Sequence, residues 1–292
     1  MAKTALALGM FDGMHIGHKK LIETTVLLAK HSGLTPAVYT FSNHPQSLFG
    51  GKVVRLTTNE ERESIMKKLG IERIVQAEFI MSIASLLPEA FIEMLISEFD
   101  PAVIAVGFNY TFGKGKKGDA ELLQKIAFKH GISVVVVPPV AFAKKPVSST
   151  RIRECIEKGD VESAQLMLAR PYTLAGTVVE NRHIGRTIGF PTANFEPDAS
   201  RAIPADGVYI SMALVDGSII PSVTNIGISP TVDAKMRTVE THIIDFDGDI
   251  YGKELKVFFV KRIRPVKRFS SIDELKAQIA EDTAAAREYF GC

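Results

Sequence analysis

Gly9-Met10-Phe11-Asp12-Gly13-Met14-His15-Ile16-Gly17-His18 is the stretch on which the fold turns. It follows an apolar run, Ala5 to Leu8, of strand character. It precedes Lys19 to Ser32, where Leu21, Ile22, Val26, Leu28 and Ala29 recur at helical spacing. The two histidines therefore sit where a strand hands over to a helix, at the carboxyl end of the strand. Open parallel sheets bind ligands at that place. A helix amino terminus there offers unpaired N–H groups and a positive dipole end, both suited to phosphate. Gly9, Gly13 and Gly17 let backbone and ligand approach closely. Two readings stay open on this stretch alone: a nucleotide-binding turn, or a glycine-rich turn with two surface histidines.

Outward from this turn, the first half alternates strands and helices. Thr35–Phe41 and Arg73–Phe79 read as strands, and Thr58 with Glu61 forms a capping box for a helix to about Leu69. Pro88–Phe99 is a helix with proline in its first turn. Ala102–Val106 is a continuous apolar run, as expected of a strand covered on both faces. A helix over Asp119–His130 and a strand over Ile132–Val137 complete a βαβα series, which implies a parallel sheet. Ser149–Leu168 reads as a helix interrupted or turned near Gly159-Asp160.

Past Arg170-Pro171 the pattern changes. Leu174–Val179, Val208–Val215, Ile219–Val223, Thr238–Phe246 and Glu254–Val260 are short strands set apart by Gly, Pro, Asn and Asp. Such spacing favours a barrel or sandwich. A helix over Ser271–Tyr289 ends the chain. The division predicted is 1–168, α/β and Rossmann-like, and 169–292, mainly β.

Composition sets bounds on function. At 292 residues two domains are expected, and a net charge of +2 is too balanced for general nucleic-acid binding. Cys155 and Cys292 make no metal spacing and no disulfide framework, which fits a reducing compartment. The amino terminus lacks a secretory signal and no run approaches the ~20 apolar residues of a membrane span. A cytoplasmic protein with small-molecule partners, and neither nucleic acid nor membrane, is the expectation.

Several stretches carry possible chemistry. Gly107–Asp119 (GFNYTFGKGKKGD) follows a strand of the sheet; its lysines 114, 116 and 117 suit a positive loop or simply a solvated turn, while Asn109 and its aromatic neighbours could meet a planar ring. Val147–Arg153 (VSSTRIR) offers hydroxyls that cap a helix or hold phosphate, with two cationic forks. Gly185–Asn194 (GRTIGFPTAN) puts Thr192 and Asn194 two residues apart on an extended segment, hence on one side. Glu240 shares a strand face with His242 and Ile244; it suits either catalysis or a solvent-facing position. Asp245, Asp247 and Asp249 lack the other ligands of a calcium loop and read as a hairpin turn.

In order, GMFDGMHIGH, His44-Pro45, GFNYTFG and VSSTRIR resemble the adenylyltransferase module of bifunctional bacterial riboflavin kinase/FMN adenylyltransferases. GRTIGFPTAN, Gly207–Tyr209, NIGISPT, VETHIIDFDGDIYG and RIRPVKRF resemble the kinase module of the same family. The resemblance implies a Rossmann-like parallel sheet followed by a six-stranded antiparallel barrel with a carboxyl-terminal helix. It implies riboflavin, FMN and ATP as substrates and Mg²⁺ as cofactor. In the first module it assigns Gly9, Phe11, Asp12, His15, His18, Ser149, Thr150 and Arg153 to ATP, the two histidines to catalysis, and His44 and Asn109 to the flavin. In the second it assigns Gly185, Thr192 and Asn194 to ATP, the latter two to Mg²⁺, and Glu240 to proton abstraction. Three positions depart from the family pattern: Asn43 replaces a proline, which would loosen that turn, Asn109 stands where many relatives have aspartate and keeps a hydrogen-bonding side chain, and Ser229 replaces an arginine. An enzyme with one activity, or a flavin- or nucleotide-binding regulator, are the alternatives. Intact His15, His18, Arg153, Thr192, Asn194 and Glu240 weigh against both.

Overall fold

The computed structural model describes residues 2–180, 189–228 and 237–292. The chain divides into two compact units, Met1–Ser149 and Thr150–Cys292. Gly185 and Ser229 lie outside the described residues.

In the first unit, β1 (Thr4–Leu8), β2 (Thr35–Phe41), β3 (Arg73–Ala77), β4 (Pro101–Gly107) and β5 (Ser133–Val137) form a parallel sheet in the order β3-β2-β1-β4-β5. All five residues of β1 are buried, as a strand covered on both faces requires. Alternation divides them: Leu6 and Leu8 join Ile104 and Val106 on one face, and Ala7 joins Ala105 and Val38 on the other. The first face is covered by α4 (Pro88–Phe99) and α5 (Ala120–Lys129) through Phe91, Leu95, Leu123 and Ile126. The second is covered by α1 (Ile16–Ser32) and α2 (Asn59–Lys68) through Leu21, Ile22 and Met66. The short α3 (Met81–Ala84) leads into α4. The small residues at 7 and 105 leave room for α1 to lie close over the sheet. The order reverses between β1 and β4, which makes their carboxyl ends the switch point of the sheet.

Helix α1 begins earlier than the apolar spacing predicts, because His15 is its N-cap and Gly17 and His18 fall in its first turn. The predicted third strand stops at Ala77. Beyond it, Asn43 Oδ1 accepts from Phe79 N at 2.7 Å and Asn43 Nδ2 donates to Phe79 O at 3.1 Å. An asparagine at 43 thus pins this turn to the chain after β3, where loss of a proline had implied a looser one. Between the units' main elements, β6 (Ala141–Phe142) and β7 (Lys145–Pro146) form a small hairpin.

In the second unit, α6 (Ser149–Lys158, its first residue still in unit one) and α7 (Val161–Leu168) are two helices, the expected helical stretch being interrupted at Gly159-Asp160. Strands β8 (Tyr172–Thr177), β9 (Ala193–Phe195), β10 (Gly207–Val215), β11 (Ser218–Ile228), β12 (Arg237–Ile243) and β13 (Glu254–Arg264) follow. They make an antiparallel sheet in the order β8-β13-β10-β11-β12-β9. Val179, just past one edge strand, donates its N–H to Asn194 O of the other at 2.8 Å. This bridge curls the sheet towards closure. Tyr209, Phe195, Ile226, Val239, Val257 and Phe259 fill its interior, each fully buried. Gly176 faces the Phe195 ring so closely that a Cβ there would lie 2.4 Å from Cδ2.

The outer face carries a second apolar layer, Val208, Ile210, Val223, Ile244 and Val260, which packs on Ala286 of α8 (Ile272–Phe290). A forked ion pair locks the helix down: Arg264 Nε and Nη2 donate to Asp282 at 2.9 and 2.7 Å. The acidic segment after β12 is not a hairpin turn. Its strands β12 and β13 are separated in the sheet by β11 and β10, so the segment crosses between non-neighbours.

Candidate functional site

In the first unit the glycine-rich turn leaves β1 and enters α1 through three left-handed residues, Phe11, Gly13 and Met14. The tight path aims both histidines at the switch point. His15 Nδ1 accepts from His18 N at 3.2 Å, the N-cap bond of the helix. With Nδ1 acting as acceptor, the neutral ring carries its proton on Nε2. The two rings stack with centroids 3.6 Å apart and planes 15° off parallel. Gly17 makes this possible, since a Cβ there would lie 3.1 Å from His15 Cε1. Phe11 meets the His18 ring edge-on and also packs under Gly9, whose Cβ would lie 3.1 Å from that ring.

Burial, the adjacent His15 and the Arg62 guanidinium together push the His18 imidazole well below its ordinary pKa. Its Nδ1 is buried and unpartnered. An imidazole pair at a helix amino terminus, with His18 Nδ1 lacking a partner among the described residues, is an arrangement an incoming anion would complete.

The other predicted residues of this unit take varied places. Asp12 is buried, and its carboxylate accepts from Leu56 N at 3.0 Å and from Thr57 N and Oγ1, each at 3.3 Å. It shapes the turn through those contacts. Ser149 Oγ donates to Asp12 O at 2.8 Å and ties the start of α6 to the same turn. His44 caps the short helix Pro45–Phe49 after β2, accepting from Gln46 N at 3.2 Å. Asn109 is exposed just beyond β4. Thr150 and Arg153 lie on α6 and belong to the second unit.

In the second unit, register settles what periodicity left open. Glu240 pairs directly with Asn194 of β9 on one side and with Asn225 of β11 on the other. The three side chains share the outer face, while Val239, Thr241 and Ile243 point inward and are buried. Asn225 Nδ2 donates to Glu240 Oε2 at 3.3 Å. Asn194 Nδ2 turns back to Thr192, 3.3 Å from its carbonyl and 3.4 Å from Oγ1. Asn194 Oδ1 is left buried without a partner. Thr192 and Asn194 line a cleft of about 350 Å³ together with Val178, Thr241, Asp247 and Tyr251. Glu240 stands beside that cleft in the sheet and is not part of its lining.

Two of the acidic residues beyond β12 have protein partners. Asp245 pairs with Arg287, and Asp249 Oδ1 accepts from Tyr251 N at 3.1 Å. Among the described residues no group of three or more His, Cys, Asp or Glu side chains is arranged to hold a metal ion.

Two family models match, FAD synthetase over residues 1–151 and riboflavin kinase over residues 168–290. The chain belongs to the bifunctional riboflavin kinase/FMN adenylyltransferase family. A protein of that name from Bacillus subtilis is 37% identical, the match spanning 99% of this chain and 93% of the relative. The Escherichia coli K12 protein of the same name is 35% identical over 98% and 92%. A crystal structure from Streptococcus pneumoniae described as a macrolide-efflux protein matches with TM-score 0.91 and 33% identity, over 98% of this chain and 95% of that one. Efflux is that protein's description; no helix among the described residues here is long and apolar enough to cross a membrane.

Three contributors escaped the sequence reading. Arg62, Thr57 and Asn225 each make contacts that shape a site. Arg62 had a signal: it falls four residues before Met66, on the buried stripe of α2. The hydrogen bond of Asn225 to Glu240 had none, since only strand register brings them side by side.

Proposed function

We propose that the two units catalyse successive ATP-dependent steps: riboflavin to FMN in the second, and FMN to FAD with release of pyrophosphate in the first. What carries this reading is the separation of two unlike constellations. An imidazole pair caps α1 at the switch point of the parallel sheet, and a carboxylate stands beside an unsatisfied amide oxygen on the antiparallel one.

For the kinase step, Glu240 takes the proton from the riboflavin 5′-hydroxyl as that oxygen attacks the γ-phosphorus of ATP, the bond to the β–γ bridging oxygen breaks and ADP leaves. Asn225 orients the carboxylate by donating to Oε2. Thr192 and Asn194 would hold Mg²⁺ with the nucleotide phosphates. The orphaned Asn194 Oδ1 fits a hard cation that prefers neutral or anionic oxygen. When bound, such an ion neutralises charge on the transferring phosphoryl group.

For the adenylyl step, the phosphate of FMN attacks the α-phosphorus of ATP. Little is needed beyond alignment and stabilisation of charge spreading over the phosphate oxygens. His15 and His18 supply donors there, supported by the α1 amino terminus. Ser149, Thr150 and Arg153 would serve the triphosphate, and His44 and Asn109 the flavin nucleotide. Both cysteines are free, consistent with a cytoplasmic enzyme.

The test is to incubate the purified chain with riboflavin, ATP and Mg²⁺ and separate the flavins by chromatography. FMN followed by FAD is expected. FMN alone would remove the adenylyl assignment, and no phosphorylated flavin would remove both.

A further inference from the structure

The turn bearing the histidines is gripped from outside by the segment Leu56–Arg62, which none of the chemistry above uses. Hydrogen bonds join them. Asp12 accepts from the N–H groups of Leu56 and Thr57, Gly13 N donates to Thr57 Oγ1 at 3.0 Å, and Arg62 Nη1 donates to Met10 O at 2.6 Å. The same guanidinium reaches the end of the neighbouring strand, donating through Nη2 to Phe41 O at 2.8 Å. Asn59 Oδ1 at 2.5 Å and Gln76 Oε1 at 3.1 Å complete its acceptors.

Arg62 is only 4% exposed, and the four oxygens to which its guanidinium donates are all neutral. Burying a cation on neutral carbonyls is costly, and the cost shows in a guanidinium pKa pushed down by burial. A methionine or leucine would satisfy the apolar stripe of α2 at less cost. The cation makes sense where two strand ends must be held in fixed relation. A planar fork can bond two carbonyls at once; the ammonium of lysine cannot match that geometry.

What Arg62 holds is strained. Phe11 and Met14 carry left-handed φ angles of 53° and 43°, unfavourable for residues with a Cβ. The backbone between them leads directly into the N-cap His15. We propose that Arg62 is a positioning residue for adenylyl transfer, clasping the ends of β1 and β2 so that the strained turn presents the His15–His18 pair in one geometry. This rests on the reading of those histidines as the adenylyl site. The groups acting electrostatically on His18 are His15 from the turn and Arg62 from α2, while Asp12, Arg55 and Glu60 act on Arg62. The cation therefore also favours the neutral form of His18.

The test uses the full chain and both activities. Arg62→Lys keeps the charge and loses the fork, and Thr57→Val removes, at nearly constant volume, the hydroxyl that accepts from Gly13 N and donates to Asp12. In Arg62→Lys, FAD formation from supplied FMN should fall roughly ten- to a hundredfold, as expected for misplacement of reacting groups. Thr57→Val should show a smaller loss, with riboflavin phosphorylation unchanged in both. By NMR titration of the free enzyme, the His18 midpoint should rise in Arg62→Gln and stay near the parent value in Arg62→Lys. Adenylylation within about twofold of parent in both Arg62→Lys and Thr57→Val, with His18→Ala inactive, would overturn the clasp alone. Parallel loss of both activities would reduce it to a stability element and overturn it too. If His18→Ala itself forms FAD normally, the underlying site reading fails instead.

Discussion

Glu240 and Asn194 are direct register partners across the β12–β9 ladder, so their side chains leave the sheet on the same face. Directly opposed residues hold their Cβ atoms about 4.5–5.5 Å apart. That places a carboxylate beside an amide whose oxygen has no partner among the described residues. The pairing joins one residue from a seven-residue strand with one from a three-residue edge strand. Neither stretch alone reveals it.

Glu240→Gln keeps the shape and the hydrogen bond site for Asn225 but cannot take a proton. Riboflavin phosphorylation should fall by roughly 10²–10⁴, the usual weight of a general base. Conversion of supplied FMN to FAD should continue at the parent rate, since the histidine pair proposed for that step lies in the other unit. The two products are followed separately by chromatography. Equal loss of both would refute the two-site assignment.

Asn194→Ala removes the orphan oxygen and leaves the strand pairing intact, because the ladder uses the backbone. FMN formation should then require much more Mg²⁺, a shift at least as large as the roughly 10–100-fold seen when metal-site supports are removed. The measurement is kinase rate against free Mg²⁺ at fixed ATP. An unchanged Mg²⁺ dependence would take Asn194 out of the site.

Gly17→Ala sets two effects against each other. Alanine in a helix is favoured over glycine by about 1 kcal/mol, so α1 itself gains stability. The new Cβ would lie 3.1 and 3.2 Å from His15 Cε1 and Nδ1, forcing the ring off its stack. FAD formation should drop while thermal stability holds or rises. Activity and stability moving in the same direction would contradict the role given to the stacked pair.

Much of this was legible in the sequence because its signals are local. The alternating apolar runs of β1 and β4, the Thr58–Glu61 capping box and the His-x-Gly-His spacing each depend on neighbours within a helical turn or a strand. What was missed depends on partners far along the chain. Strand β9 has only three residues, defined by pairing with β12 and by the Val179 bridge. Strand β11 runs on to Ile228, beyond the predicted Val223, because β10 and β12 supply partners on both sides. The acidic segment after Ile243 looked like a hairpin since its composition suits a turn. Sheet order, which composition does not encode, makes it a crossing instead. Arg62 reaches Met10 and Asn43 reaches Phe79, each more than 30 residues away, so the spacing that marks Arg62 as buried does not name its partner and nothing near Asn43 marks its role.

Gly176→Ala probes the closure of the antiparallel unit. The added methyl would meet the fully buried Phe195 ring at 2.4 Å, and overpacking of this kind costs about 1–3 kcal/mol. Phe195 neighbours Asn194, so strain there should lower FMN formation more than FAD formation. Chemical denaturation and the two assays check this. Recovery of stability in the Gly176→Ala, Phe195→Leu double variant would locate the strain at this contact, and no recovery would place it elsewhere.

His18 makes the first unit sensitive to acid. Its folded pKa lies well below 6.5, with burial as the largest cause, then His15 and Arg62. In the unfolded chain the ring takes a proton near pH 6.5, whereas in the folded chain it resists one. Between those two values the unfolded state binds more protons, so stability falls as pH drops below about 6.5. The slope from one such group is at most about 1.4 kcal/mol per pH unit. Amide exchange along α1 at pH 7.0 and 5.5 should show the loss, and His18→Asn should flatten it. A bound triphosphate, by favouring the charged ring, should raise the His18 pKa and flatten it as well. If ATP leaves both the slope and the His18 titration untouched, the anion does not sit against this pair.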